Sequence, residues 1–180
     1  MAIRRILEIE VPADLLILRT TCTPVTLPKP TLESLVGDMI ETMDSVDGVG
    51  LAAPQVGITQ RIVVIRIPVR HDKRADGNVV EIEPEQLFVM LDPMITQHGE
   101  GTVSGSEGCL SLPGRFAPVK RFTWVTCEYR DLKGRNLRLR RATGLLARAI
   151  QHEVDHLNGV LFIDHVSDLI SIEDMREIRQ

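Results

Sequence analysis

Two histidines and a glutamate in the stretch Gln151-His152-Glu153-Val154-Asp155-His156 have the types and spacing of a metal site. On a helix, residues four apart lie one turn apart on the same face, so His152 and His156 can present two imidazoles to one point with Glu153 beside them as a base. Two ligands are too few, because a catalytic zinc-type site usually takes three protein donors and keeps a position open for water. One protease pattern continues His-x-x-Gly-x-x-His; here Gly159 fits, but Phe162 stands where the last ligand should be. His165 and Glu173 lie further downstream. Cys109 lies upstream, flanked by Gly108 and preceded by Glu107. Two imidazoles and a thiolate form a set that suits zinc and iron(II) alike. The plainer alternatives are a core helix whose histidines make ordinary hydrogen bonds and a buried apolar thiol at Cys109.

The elements that must position these groups follow from patterning. Residues 1–30 mix charge with prolines, and Thr23 to Pro30 cannot be helical, so this part reads as an extended arm over the surface. Leu32, Leu35, Val36, Met39, Ile40 and Met43 recur at helical spacing behind a Thr31 cap, which predicts a helix ending near Asp47-Gly48. The small residues from Gly48 to Gly57 let a backbone approach something closely. Arg61 to Ile67 reads as a mostly buried strand, and 69–86 as a polar excursion. Leu87 to Leu91 reads as a short strand ending at Asp92-Pro93, and Met94 to Val103 as another interrupted by His98-Gly99. Ser104 to Gly114 holds too many Gly, Ser and Pro residues for a regular element.

Phe122 to Asp131 and Asn136 to Arg141 form a hairpin with Leu137 and Leu139 inward. The histidine helix follows. Its apolar members Leu145, Leu146, Ala149, Ile150 and Leu157 cover much of its circumference, which places it centrally, with Gly159 closing it. Val160 to Ile163 reads as a brief strand and Asp168 to Arg179 as a final amphipathic helix.

At 180 residues, 43% of them apolar, the chain is long enough for one sizeable core, and a single domain over residues 1–180 is expected. A net charge of −4 gives no basic footprint for DNA. The longest early apolar stretch, Leu15 to Leu18, is far short of a membrane span. Cys22, Cys109 and Cys127 are an odd number without an apolar leader, which points to a reducing cytoplasm.

Three stretches, Gly48-x-Gly50-Leu51-Ala52-Ala53-Pro54-Gln55, Glu107-Gly108-Cys109-Leu110-Ser111 and Gln151-His152-Glu153-Val154-Asp155-His156, match in order and spacing the signature motifs of the peptide deformylases. The resemblance covers about residues 20–167. It implies removal of the formyl group from the N-terminal methionine of newly made chains, with Cys109, His152 and His156 holding one divalent metal. Iron(II) comes first, with zinc, nickel or cobalt as substitutes. It further implies Glu153 as acid and base, and the Gln55 amide and Leu110 N–H as donors to the carbonyl oxygen. The backbone near Val49 and Gly50, with Gly108, would line the peptide; helical spacing puts Leu145 and Ala149 on the metal-facing side as candidates for the wall of the methionine slot, with Val49 a third. The fold implied is α+β, with antiparallel or mixed sheets around a central metal-binding helix and a helix towards each terminus. A transient ribosome contact belongs to the same expectation, although the last helix is acidic to mixed. The rivals are a zinc endopeptidase, from the helix motif alone, and a binder of formylated termini without turnover.

Overall fold

The computed structural model describes residues 2–73, 79–166 and 170–171. In chain order the elements are α1 (Pro12–Leu18), α2 (Lys29–Asp44), β1 (Gly50–Ala52), a 3-10 turn (Ala53–Val56), β2 (Ile62–Ile67), β3 (Arg70–Lys73), β4 (Val79–Glu83), β5 (Gln86–His98), β6 (Thr102–Cys109), β7 (Leu112–Phe122), β8 (Trp124–Arg130), β9 (Asn136–Thr143), α3 (Gly144–Leu157), a second 3-10 turn (Phe162–His165) and β10 (Ile170–Ser171). The fold is α+β. A five-stranded sheet runs β1-β2-β5-β8-β9, a second runs β10-β7-β6, and β3 pairs with β4. Every strand pair is antiparallel among the described residues.

The large sheet lies between two helices, and β2 shows why. Successive strand residues point to opposite faces. Val63 and Ile65 join Met90, Val125, Cys127, Ile150 and Leu157 under α3, whereas Ile62 and Val64 join Leu91 and the α2 residues Leu35, Met39 and Met43. A strand buried on both faces reads as a continuous apolar run rather than an alternating one, which is the pattern of Ile62 to Ile65. The central position expected for α3 follows from the same packing.

Several expectations need correcting. The N-terminal arm is extended only in part, because Pro12 to Leu18 forms a helix with its proline in the first turn, where a missing N–H costs nothing. For the same reason α2 begins at Lys29, with Pro28 at its cap and Pro30 inside the first turn, and Thr31 caps nothing. Leu87 to Leu91 and the start of the next strand are one element, β5, bent where Asp92 takes φ +51° and the register shifts. Ser104 to Gly114 is regular after all: β6 and β7 pair from Thr102↔Phe122 to Cys109↔Leu112. Leu137 stays exposed while Leu139 packs on the core. The brief strand expected at Val160 to Ile163 is a bend into the second 3-10 turn. Most of the expected helix from Asp168 to Arg179 lies outside the described residues, and Ile170–Ser171 within it pairs with Phe116 and Arg115. The polar excursion at 69–86 holds the β3/β4 hairpin, with residues 74–78 outside the description.

Helix α3 ends where Gly159 takes φ +72°. A side chain there would also collide with the chain, since a Cβ would sit 2.3 Å from the Arg19 carbonyl oxygen. Beyond this turn the buried Leu161 packs with Leu7 and Leu18, and the buried Phe162 with Leu112, Ala117 and Val119.

Candidate metal centre

The donors come together from two elements. His152 and His156 project from one side of α3, and Cys109 comes from the last residue of β6. Their ligand atoms all lie within 4.8 Å of one another, and Cys109 Sγ stands 3.3 Å from His156 Nε2. Cys109 thus completes, with the two histidines, a group that could hold a metal ion. His165 is turned to Asp155 at 2.9 Å instead, and Glu173 lies outside the described residues. Two imidazoles and a thiol facing one point, with an open cavity beside them, are a donor set that fits a catalytic divalent cation.

The cavity has a volume of about 520 Å³ and runs between β1, the β6/β7 turn and α3. Every residue expected at the site except His156 lines it: Val49, Gly50, Gln55, Gly108, Cys109, Leu110, Leu145, Ala149, His152 and Glu153. His156 sits behind them, fully buried. Leu145 is half exposed and Ala149 buried, so the two form an outer and an inner part of one wall.

Glu153 is buried, and its Oε2 has no hydrogen-bond partner. Burial pushes its carboxyl up to about 7, partly opposed by the neighbouring His152. A carboxylate poised near neutrality suits proton transfer in both directions. Gly50 is required by this placement: a Cβ on it would lie 2.3 Å from Glu153 Oε1. On the other side, Gln55 is buried; its Oε1 accepts the Ala52 N–H at 2.8 Å. Its Nε2 therefore faces the metal ligands and donates to Ser111 Oγ at 3.2 Å and to Cys109 Sγ at 3.5 Å. The Ser111 N–H also points to Cys109 Sγ, at 3.4 Å.

Sequence reasoning gave no role to the groups that hold the histidines. Glu107 accepts from His152 Nδ1 at 3.0 Å, which leaves Nε2 free to serve as a donor atom. The same carboxylate takes Arg121 through two bonds, at 2.9 and 3.0 Å, and Arg148 at 2.7 Å. Arg121 reaches on to Asp155 at 2.6 Å, and Asp155 to His165. Burial alone would raise the Glu107 carboxyl, but the bonds from His152 and Arg121 outweigh it and hold the group down to about 2. The available signal was Glu107 beside Cys109. Its arginines were not legible, because Arg121 meets Glu107 only through the β6/β7 register and Arg148 only through the docking of α3.

The polypeptide deformylase family model matches residues 3–171. The chain belongs to the polypeptide deformylase family. A peptide deformylase of Roseiflexus sp. is 55% identical over 177 residues, covering 98% of this chain and 96% of its own length. That of Chloroflexus aurantiacus is 51% identical over 179 residues, covering 99% and 95%. Among solved structures, the deformylase of Thermotoga maritima aligns with a TM-score of 0.76 at 35% identity, over 93% of this chain and all of the other. A class I type b deformylase of Acinetobacter baumannii, solved with Met-Ala-Ser bound, aligns with a TM-score of 0.75 at 31% identity, over 92% of this chain and 99% of its own. The activity of the deformylase family is metal-dependent hydrolysis that removes the N-formyl group from nascent peptides. An endopeptidase or a binder without turnover is thereby set aside.

The deformylase geometry makes Gly50 a sensitive position. Gly50→Ala is expected to displace Glu153 or β1, lowering kcat for formate release by about tenfold or more while destabilising the fold by about 1–3 kcal/mol. Parallel turnover and thermal-unfolding measurements check this; unchanged turnover would mean that Glu153 need not stand where it does.

Proposed function

We propose that residues 1–180 act as one catalytic unit in which Cys109, His152 and His156 hold a divalent cation, iron(II) in the first place and zinc, nickel or cobalt as alternatives. The observation that carries this is the convergence of their three ligand atoms within 4.8 Å beside the unpartnered Glu153 Oε2. When bound, the cation supplies Lewis acidity, which makes water nucleophilic at neutral pH.

The chain does the rest. Glu153 takes the proton of the attacking water and hands it to the departing amine, which its burial and free oxygen support. The Gln55 Nε2 and the Leu110 N–H donate to the formyl oxygen as charge collects there. Gln suits this role, since its amide donates without titrating. Strand β1 lies at the edge of its sheet, paired on one side with β2 through Gly50↔Ile65. The backbone of Gly50 and of Val49 just before it, with Gly108 opposite, receives the peptide as an added strand, a role their place in the cavity lining supports. The first side chain then falls against Leu145 and Ala149, an apolar wall suited to methionine. The Met-Ala-Ser peptide bound by the Acinetobacter baumannii enzyme supports this reading.

The substrate is the formyl-methionyl terminus of a nascent chain in the cytoplasm, met with only a passing ribosome contact. No helix among the described residues is long and apolar enough to cross a membrane. Cys22 and Cys127 take no part: both are buried, and burial pushes each thiol up to about 11.

The test is anaerobic purification followed by metal analysis and a formate-release assay on formyl-Met-Ala-Ser with the same sample. One metal per chain, with turnover lost on chelation and regained on adding iron(II), is the expected result. Equal cleavage of unformylated peptides would overturn it.

A further inference from the structure

We propose that Ser111 is a positioning residue for the reaction, acting through Gln55; this rests on the reading of Gln55 as a donor to the formyl oxygen. Ser111 is fully buried, and it is neither one of the three candidate metal ligands nor one of the two donors to the formyl oxygen. Its hydroxyl accepts from Gln55 Nε2 at 3.2 Å, while the other end of the same amide is fixed by the Ala52 N–H on Oε1 at 2.8 Å.

A primary amide carries two N–H groups. Gln55 Nε2 stands 3.2 Å from Ser111 Oγ and 3.5 Å from Cys109 Sγ, so the two N–H groups can serve one acceptor each. Sulfur is the weaker acceptor. An incoming formyl oxygen therefore competes for the N–H held by sulfur, and the bond to Ser111 stays as the pivot about which the amide keeps its aim. Without that pivot the carboxamide keeps its Oε1 contact and the longer one to Cys109 Sγ, and can turn its donor away from the oxygen that gains charge.

The N-terminal arm holds both members of the pair in register. The Leu7 N–H donates to the Gln55 carbonyl and the Ile9 N–H to the Ser111 carbonyl, each at 2.8 Å. Ile6, next to Leu7, lines the cavity itself. The spacing of Gln55, in the 3-10 turn after β1, and Ser111, in the turn between β6 and β7, is thus set by one short extended segment.

The experiment is a double-mutant cycle on the metal-loaded enzyme with Ser111→Ala, Gln55→Ala and the double variant, measured by formate release from formyl-Met-Ala-Ser. Metal content and the side-chain amide NMR signals of Gln55 are followed alongside. Ser111→Ala should keep one metal per chain, shift the Gln55 amide signals, lower kcat about tenfold and leave KM nearly unchanged. The double variant should be no slower than Gln55→Ala alone. Wild-type kcat in Ser111→Ala beside a slow Gln55→Ala would overturn the role of Ser111 and leave that of Gln55 standing. Losses that multiply in the double variant, or loss of metal from Ser111→Ala, would also overturn it. Wild-type turnover in Gln55→Ala would instead remove the donor reading beneath it.

Discussion

Glu153→Gln is expected to keep one metal per chain and the wild-type melting temperature while lowering kcat for formate release by about 10²–10⁴-fold. Glutamine has nearly the same shape, so it still fills the space against Gly50, where no Cβ could be accommodated. It cannot accept and return a proton. Neither oxygen of the native carboxylate serves as a metal donor in the Cys109, His152 and His156 cluster, and Oε2 has no protein partner to lose. Stability and metal affinity should therefore be spared, and the loss should fall on kcat. Metal analysis, thermal unfolding and steady-state kinetics on one preparation separate these quantities. Turnover within tenfold of wild type would take Glu153 out of the proton path.

The parts of the site legible in the sequence are those in which chemistry and spacing coincide within one element. His152, Glu153 and His156 need only the pitch of a helix, and α3 supplies it between Gly144 and Leu157. Strand β2 was legible because burial on both faces demands an unbroken apolar run. The position of Cys109 was harder. Its stretch reads as an irregular loop because it is rich in Gly and Ser, yet it is paired strand. Close packing against this strand explains the composition: a Cβ on Gly108 would lie 2.6 Å from the Phe116 ring. Helix α1 was missed for a different reason. Seven residues with Pro12 at the start give too little periodicity to count, and its stability comes from Leu18 packing on Leu7 and Leu161 and from Asp14 pairing with Arg5. Contacts far apart in sequence leave no local trace, and the paired arginines of Glu107 are the clearest case.

Those arginines lead to the second large effect. Glu107→Ala is expected to lower folding stability by about 3–5 kcal/mol, because Arg121, itself buried, loses two hydrogen bonds and its principal countercharge. The same change should weaken metal binding by about 10–100-fold, since His152 Nδ1 loses the acceptor that fixes its ring and tautomer. The two losses have different origins and can be separated. Replacing Glu107, Arg121 and Arg148 together with Leu, Met and Met removes the stranded charges and should recover much of the stability, as apolar replacements of buried ion groups often do. Metal affinity should stay low, because no carboxylate returns to His152. Thermal unfolding of the metal-free chain reads the first quantity, and chelator competition reads the second. If the triple variant bound metal as tightly as the wild type, Glu107 would serve the fold alone, and the orientation of His152 would have to come from α3 packing on Phe162.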